Sequence, residues 1–183
     1  MTKENAIGHM STFNPSKLPK DLPSNALVEP MRSSEGFRID MVEHLFFAYR
    51  DFINDPDLVL EEIGFGRAHH RVLYFVNRTP GIRVAELLEI LNITKQSLAR
   101  VLKQLIESDH ITQHSSPDDG RARLLFPTQK GRNLALALSQ TQCRRIERAL
   151  SELGPDGAVA AKKFLHLLIN DADHEMIKRL EDI

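Results

Sequence analysis

The sequence predicts a mainly α-helical fold, with long amphipathic helices flanking a centre of two short helices and a small β-hairpin. Two observations carry that expectation. Within residues 83–126, apolar positions recur at helical spacing in two short runs, then give way to two extended segments around a dense run of turn formers. On either side, residues 36–54 and the chain from 128 onward keep helical spacing over greater lengths.

The first short helix, over residues 83–91, places Val84, Leu87, Leu88 and Leu91 on one face. Asn92, which tolerates the left-handed conformation, ends it. Thr94 then fits an N-cap, its hydroxyl satisfying an orphan amide of the next turn. The second helix buries Leu98, Val101, Leu102 and Leu105 and presents Gln96, Arg100 and Lys103 on its other side, flanked by Lys95, Ser97 and Ala99. That face is net positive, with no acid before Glu107. Such a pair forms a helix-turn-helix, whose second helix is the part that enters a DNA major groove. Residues 111–114 and 123–126 read as paired strands around Ser115-Ser116-Pro117-Asp118-Asp119-Gly120-Arg121. A hairpin in that place is a wing. Arg121 and Arg123 then sit where a basic side chain reaches the backbone or a narrow minor groove. Ile82-Arg83 is expected to form the small strand that pairs with it.

These residues resemble a known family. Leu91-Asn92-Ile93-Thr94-Lys95-Gln96-Ser97-Leu98-Ala99-Arg100 is similar to the turn and recognition helix of MarR-type winged-helix transcriptional regulators. Asp119-Gly120-Arg121-Ala122-Arg123-Leu124, followed by Thr128-Gln129-Lys130-Gly131, resembles that family's wing and the start of its next helix. Asp119, Arg121, Thr128 and Gly131 match the pattern. Gly120, often basic in the family, and Pro127, often aliphatic, depart from it. The first departure removes a candidate phosphate contact, and the second stiffens the strand-to-helix junction. The resemblance covers residues 37–150 and rests on order and spacing together.

A chain of 183 residues, 42% hydrophobic, can bury one good core and carry a dimerisation extension. A net charge of -1 and a pI of about 6.7 do not mark a nucleic-acid binder as a whole, but the clustering of Lys and Arg on one face is what counts. One cysteine excludes an intramolecular disulfide framework. No apolar run has the length of a membrane helix, and the N-terminus lacks a secretory signal, so a soluble, cytoplasmic-type protein without a membrane partner is expected.

In chain order, residues 1–34 read as a flexible, proline-punctuated arm, in which Gly8-His9-Met10 has the look of a cloning scar with Met10 as a natural start. Residues 35–63 read as an N-terminal dimerisation helix and connector, with the helix broken at Asp55-Pro56-Asp57 and a short turn or helix over 58–63. Residues 64–127 form the winged unit, its scaffold helix over 68–78 turning Ala68, Val72, Phe75 and Val76 inward. Residues 128–183 form C-terminal dimerisation helices. Thr128 caps a helix to about 153, with a seam of Leu136, Cys143, Ile146 and Leu150. Gly154-Pro155-Asp156-Gly157 interrupts it, and a last helix spans 158–180.

Cys143 on that seam reads as a small buried hydrophobe rather than a redox sensor. His69 and His70 adjoin on the scaffold helix and point to different faces; structural or surface roles are favoured for them. The resemblance implies that small effectors bind where the dimer helices meet the winged unit, which makes Tyr49, His69 and His70 candidate pocket residues. His110 and His114 span a strand and lack the spacing of a zinc site, so no metal is expected. With no nucleophile elbow, phosphate-cradling glycine loop or helical His-Glu-x-x-His, neither an enzyme nor a cofactor is expected.

The resemblance and the residues converge on a homodimeric regulator bound to double-stranded DNA and open to a small-molecule effector. Gln96, Ser97 and Arg100 are the base-contact candidates, since Arg pairs with guanine and Gln with adenine through two hydrogen bonds. Thr94, Lys95 and Lys103 are assigned to phosphates, and Arg121 and Arg123 to the wing contact. The rival is a winged-helix module that docks an acidic protein partner, or senses an effector, without binding an operator.

Overall fold

The computed structural model describes residues 38–181. The N-terminal arm, with Met10, lies outside them. Two compact units divide between Val42 and Glu43. In the first, the described part is Arg38 and the opening turn of a helix, where Arg38 Nε and Nη2 donate to the Asp40 carboxylate at 3.0 and 2.8 Å.

The order of elements is α1 (Ile39–Glu61), α2 (Arg67–Arg78), β1 (Ile82–Arg83), α3 (Val84–Leu91), α4 (Lys95–Glu107), β2 (Ile111–Ser115), β3 (Arg123–Pro127), α5 (Gln129–Leu167) and α6 (Asp171–Glu181). The three strands make an antiparallel sheet in the order β1-β3-β2. Ile82 pairs with Leu125, and Gln113 pairs with Leu125 from the other side. Ile82, Ile111 and Leu125 thereby close the underside of a core built from Val72, Leu73 and Val76 of α2, Leu87 and Leu91 of α3, and the four predicted residues of α4. Burying each leucine contributes about 2 kcal/mol. The helix-turn-helix is thus held by its own stripes and by the sheet.

Local signals set its joints. Asn92 is left-handed, at φ 49° and ψ 51°, and ends α3. Arg71 Nη2 reaches across from α2 to the Leu91 carbonyl at 2.9 Å, satisfying an acceptor the helix end leaves open. Thr94 caps α4, accepting from Ser97 N at 3.2 Å.

The junction of the hairpin with α5 explains a threonine and a glycine three residues apart. Thr128 Oγ1 accepts from Gly131 N at 3.0 Å and donates to the Asp109 carbonyl at 2.7 Å. Thr128 N donates to the His110 carbonyl at 3.1 Å. That carbonyl lies so close to Gly131 that a Cβ there would collide with it. Asp109, at φ 58°, makes the turn that delivers it.

His110 is buried beside Ser108, whose Oγ is 2.9 Å from its Nδ1. Burial, with Lys130 nearby, holds its pKa below the usual 6.5. Burial lowers that of His70 too, against the opposing charge of Asp57. Well above pH 6.5 both side chains are neutral whether the chain is folded or not, and they add no slope. Below it the unfolded chain binds protons that the folded chain refuses, so stability falls as pH drops through and below that value. Thermal midpoints taken from about pH 8 to about pH 5 should therefore decline, and His110→Asn should flatten part of the decline.

Several sequence expectations are corrected. The break at residues 55–57 is absent: α1 runs through a buried Pro56 to Glu61. A proline in a helix has no N–H for the carbonyl four residues back, here that of Phe52. Gln142 Nε2 of α5 donates to that carbonyl at 3.3 Å, and Asp55 pairs with Arg145 of α5 at 2.9 Å. In α2 the inward residues are His69, Val72, Leu73 and Val76, while Ala68 is exposed. Gly154, at φ 69° and ψ 179°, kinks α5 as its glycine-proline pair predicts, with Pro155 in the first turn of the resumed helix, where its missing N–H costs nothing. The last helix, however, is interrupted again. The amides of Leu168 and Ile169 bond to the carbonyls of Leu165 and His166, and the Asn170 carbonyl accepts from Asp173 N at 2.9 Å. Asp171 and Asp173 favour the start of α6 through its dipole. Cys143 is exposed in the single chain, not packed.

Candidate nucleic-acid interface

The exposed face of α4 carries Lys95, Gln96, Ser97, Arg100 and Lys103, all turned away from the leucine stripe. Among the described residues, no hydrogen bond or ion pair engages the side chains of Gln96 and Arg100. Thr94 spends its hydroxyl proton on Ser97 Oγ at 2.9 Å, so these two side chains are partly committed to the cap. Lys103 lies 3.8 Å from Glu107, a loose pair in full solvent that DNA phosphate would readily replace.

The wing is shaped by its own side chains. Asp119 Oδ1 accepts from Arg121 N at 3.0 Å, and the Asp119 carbonyl from Ala122 N at 2.9 Å. This fixes the tip and leaves the Arg121 side chain outward and exposed. Arg123 differs. Its Nη1 donates to Ser115 Oγ across the hairpin and to the Gly120 carbonyl at 3.3 Å. The two wing arginines thus have unequal positions, one open to a ligand and one tying the hairpin.

Between α4 and the wing lies an open groove of about 800 Å³. Among the described residues, Arg83, Lys95, Lys103, Arg121 and Arg123 line it, against Asp119 as the one acid. Arg83 and Gln113, also on its wall, were not among the sequence candidates. The signal for Arg83 was its place at the end of β1, the strand that pairs with β3 of the wing, immediately before α3. Five cations to one carboxylate make the groove electropositive on a molecule of net charge -1.

A second cavity, of about 390 Å³, is formed by α1, α2 and α5. Tyr49 and His70 line it with Phe52, Arg67, Arg71 and Cys143. His69 stands apart from it. Its Nδ1 accepts from Gly66 N at 3.1 Å, its Nε2 is 2.9 Å from Gln104 Oε1 of α4, and its ring stacks on Phe65. His69 therefore belongs to the core that seats the recognition helix. Among the described residues no cluster of His, Cys, Asp and Glu could hold a metal ion, and no helix is long and apolar enough to cross a membrane.

A helix-turn-helix followed by a hairpin, with an electropositive groove between them, defines the winged-helix class. The chain belongs to the MarR family, a family of transcriptional regulators rather than of enzymes. Residues 63–122 match the family pattern. Over 141 residues, 77% of this chain and 85% of the relative, it is 38% identical to the HTH-type transcriptional regulator PetP of Rhodobacter capsulatus. Solved structures share the fold. A MarR protein from Peptoclostridium difficile superposes with a TM-score of 0.65 at 17% identity, over 82% of this chain and 97% of that one. FabT of Streptococcus pneumoniae, solved in complex with DNA, gives 0.64 at 15% identity, over 80% and 99%.

Proposed function

We propose that this MarR-family regulator binds DNA sequence-specifically as a homodimer on a pseudo-palindromic operator. Each subunit lays α4 in a major groove, with half-sites about one helical turn apart. The observation that carries the reading is the α4–wing groove, whose cations outnumber its acids while Gln96 and Arg100 remain uncommitted. Arg100 and Gln96 read base edges, joined by Ser97. Thr94, Lys95 and Lys103, with Arg83 added from the groove, hold phosphates and fix register. Arg121 enters the minor groove beside the wing, while Arg123 acts by holding the hairpin's shape.

Residues 35–63 and 128–183 form the dimerisation part, and 64–127 the DNA-binding part. What supports dimerisation is exposed apolar surface on α1 and on α5 beyond its kink: Phe46 is 68% exposed, Val159 71% and Leu167 69%. Apolar faces of that kind mark association sites. The cavity lined by Tyr49 and His70 is the proposed effector site, and a ligand that binds better to one spacing of the two recognition helices shifts DNA affinity by that difference.

The test is fluorescence anisotropy with the DNA upstream of the chain's own gene, a scrambled competitor and a salt series. Binding that resists the competitor and falls steeply with salt is expected. Arg121→Ala should weaken it and lower the salt slope by about 1. Affinity no better than for scrambled DNA would instead favour a module that docks an acidic protein partner.

A further inference from the structure

We propose that α5 carries a second ligand site, distinct from both the groove and the cavity, which binds a phosphoryl group. Thr141, Arg144, Arg145 and Arg148 lie at i, i+3, i+4 and i+7, one stripe of that helix. With Asp55 of α1 they line a depression of about 360 Å³. Among the described residues, three guanidiniums face one carboxylate there.

Arg145 donates through Nη2 to Asp55 at 2.9 Å, while its Nε is buried without a hydrogen-bond partner. Arg144 Nε makes only a long bond, of 3.3 Å, to the Gln140 carbonyl of its own helix. Among the described residues no acceptor engages the Arg148 side chain. Like charges one turn apart, as in Arg144 and Arg148, work against the helix that bears them. Neither this repulsion nor the unpartnered Nε serves the packing of α5. An anion seated among the three would relieve the repulsion and draw the exposed guanidiniums inward.

The chemistry favours phosphate over carboxylate. Asp55 already supplies one carboxylate, and a planar carboxylate is satisfied by a single guanidinium fork. A tetrahedral dianion presents oxygens in several directions and meets forks from successive helix turns together. Thr141 gives its hydroxyl proton to the Leu138 carbonyl at 2.7 Å, so it shapes the wall and donates nothing to the anion. Bound phosphate would also join α1 to α5 where Asp55 and Arg145 already meet.

The full-length chain would be titrated calorimetrically with inorganic phosphate and with glycerol 3-phosphate, each against chloride at equal ionic strength. Saturable binding of one anion per chain is expected. The exposed pair Arg144→Gln and Arg148→Gln should weaken it about tenfold or more, and Arg100→Gln with Arg121→Gln should leave it intact. Equal affinity for both probes identifies free phosphate as the ligand, and tighter binding of the ester a phosphorylated metabolite. No heat beyond chloride, or equal losses in both double variants, would overturn the proposal. Circular dichroism of each variant separates loss of the site from loss of the fold.

Discussion

Arg100→Ala should lower operator affinity by about 1–3 kcal/mol and relax the preference at one base pair, with the fold intact. The expectation follows from position and from freedom. Arg100 stands on the outer face of α4, opposite Leu98, Val101, Leu102 and Leu105, and among the described residues no hydrogen bond or ion pair holds its guanidinium. Its removal opens no cavity and orphans no buried group, so thermal stability should stay within about 0.5 kcal/mol of wild type. A base-reading arginine and a phosphate-binding lysine differ in kind. Lys103→Ala should weaken all sequences alike and reduce the salt slope, whereas Arg100→Ala should act mainly on the cognate sequence. Titration of both variants against operators changed one base pair at a time distinguishes the two patterns. Unchanged discrimination in Arg100→Ala would move base recognition to Gln96 and Ser97.

Gly131→Ala should be the most damaging glycine-to-alanine change among the described residues, costing about 3 kcal/mol or more. The added Cβ would strike the His110 carbonyl, a backbone atom that cannot rotate away. That carbonyl is also the acceptor for Thr128 N, so relief by a shift of the turn would break the bond that joins the hairpin to α5. Asp109 and Thr128 would move with it, because Thr128 Oγ1 bonds to both sides of the junction. Chemical denaturation measures the loss. A cost below about 0.5 kcal/mol would show that the turn yields far more easily than close packing allows.

The parts of the fold that were legible in the sequence are those set by near neighbours. The stripes of α3 and α4, the left-handed Asn92, the caps at Thr94 and Thr128, and the strand at Ile82 each depend on a few adjacent residues, and each stands where expected. Reading failed where a distant residue decides. Pro56 looked like a stop because its remedy, Gln142, lies 90 residues along the chain from the Phe52 carbonyl it serves. His69 and Ala68 exchanged places because only the packing of α2 on Phe65 and Gln104 tells which of two neighbours turns inward. The break before α6 did have a local sign, Asn170 followed by Asp171 and Asp173, masked by the continued run of leucines before it. For the candidate site, residue identity was legible but division of labour was not. Arg121 and Arg123 read alike as wing arginines, and only the hairpin's geometry ties one to Ser115 and frees the other.

Pro56 and Gln142 also constrain how this sequence can change over time. Losing the proline first is tolerable, because the restored amide takes over the Phe52 carbonyl and merely frees Gln142. Losing the glutamine first strands that carbonyl against α5. The two positions are therefore linked as a pair in which one order of substitution is open and the other nearly closed. Descendants of this chain should include apolar residues at 142 only where 56 is no longer proline.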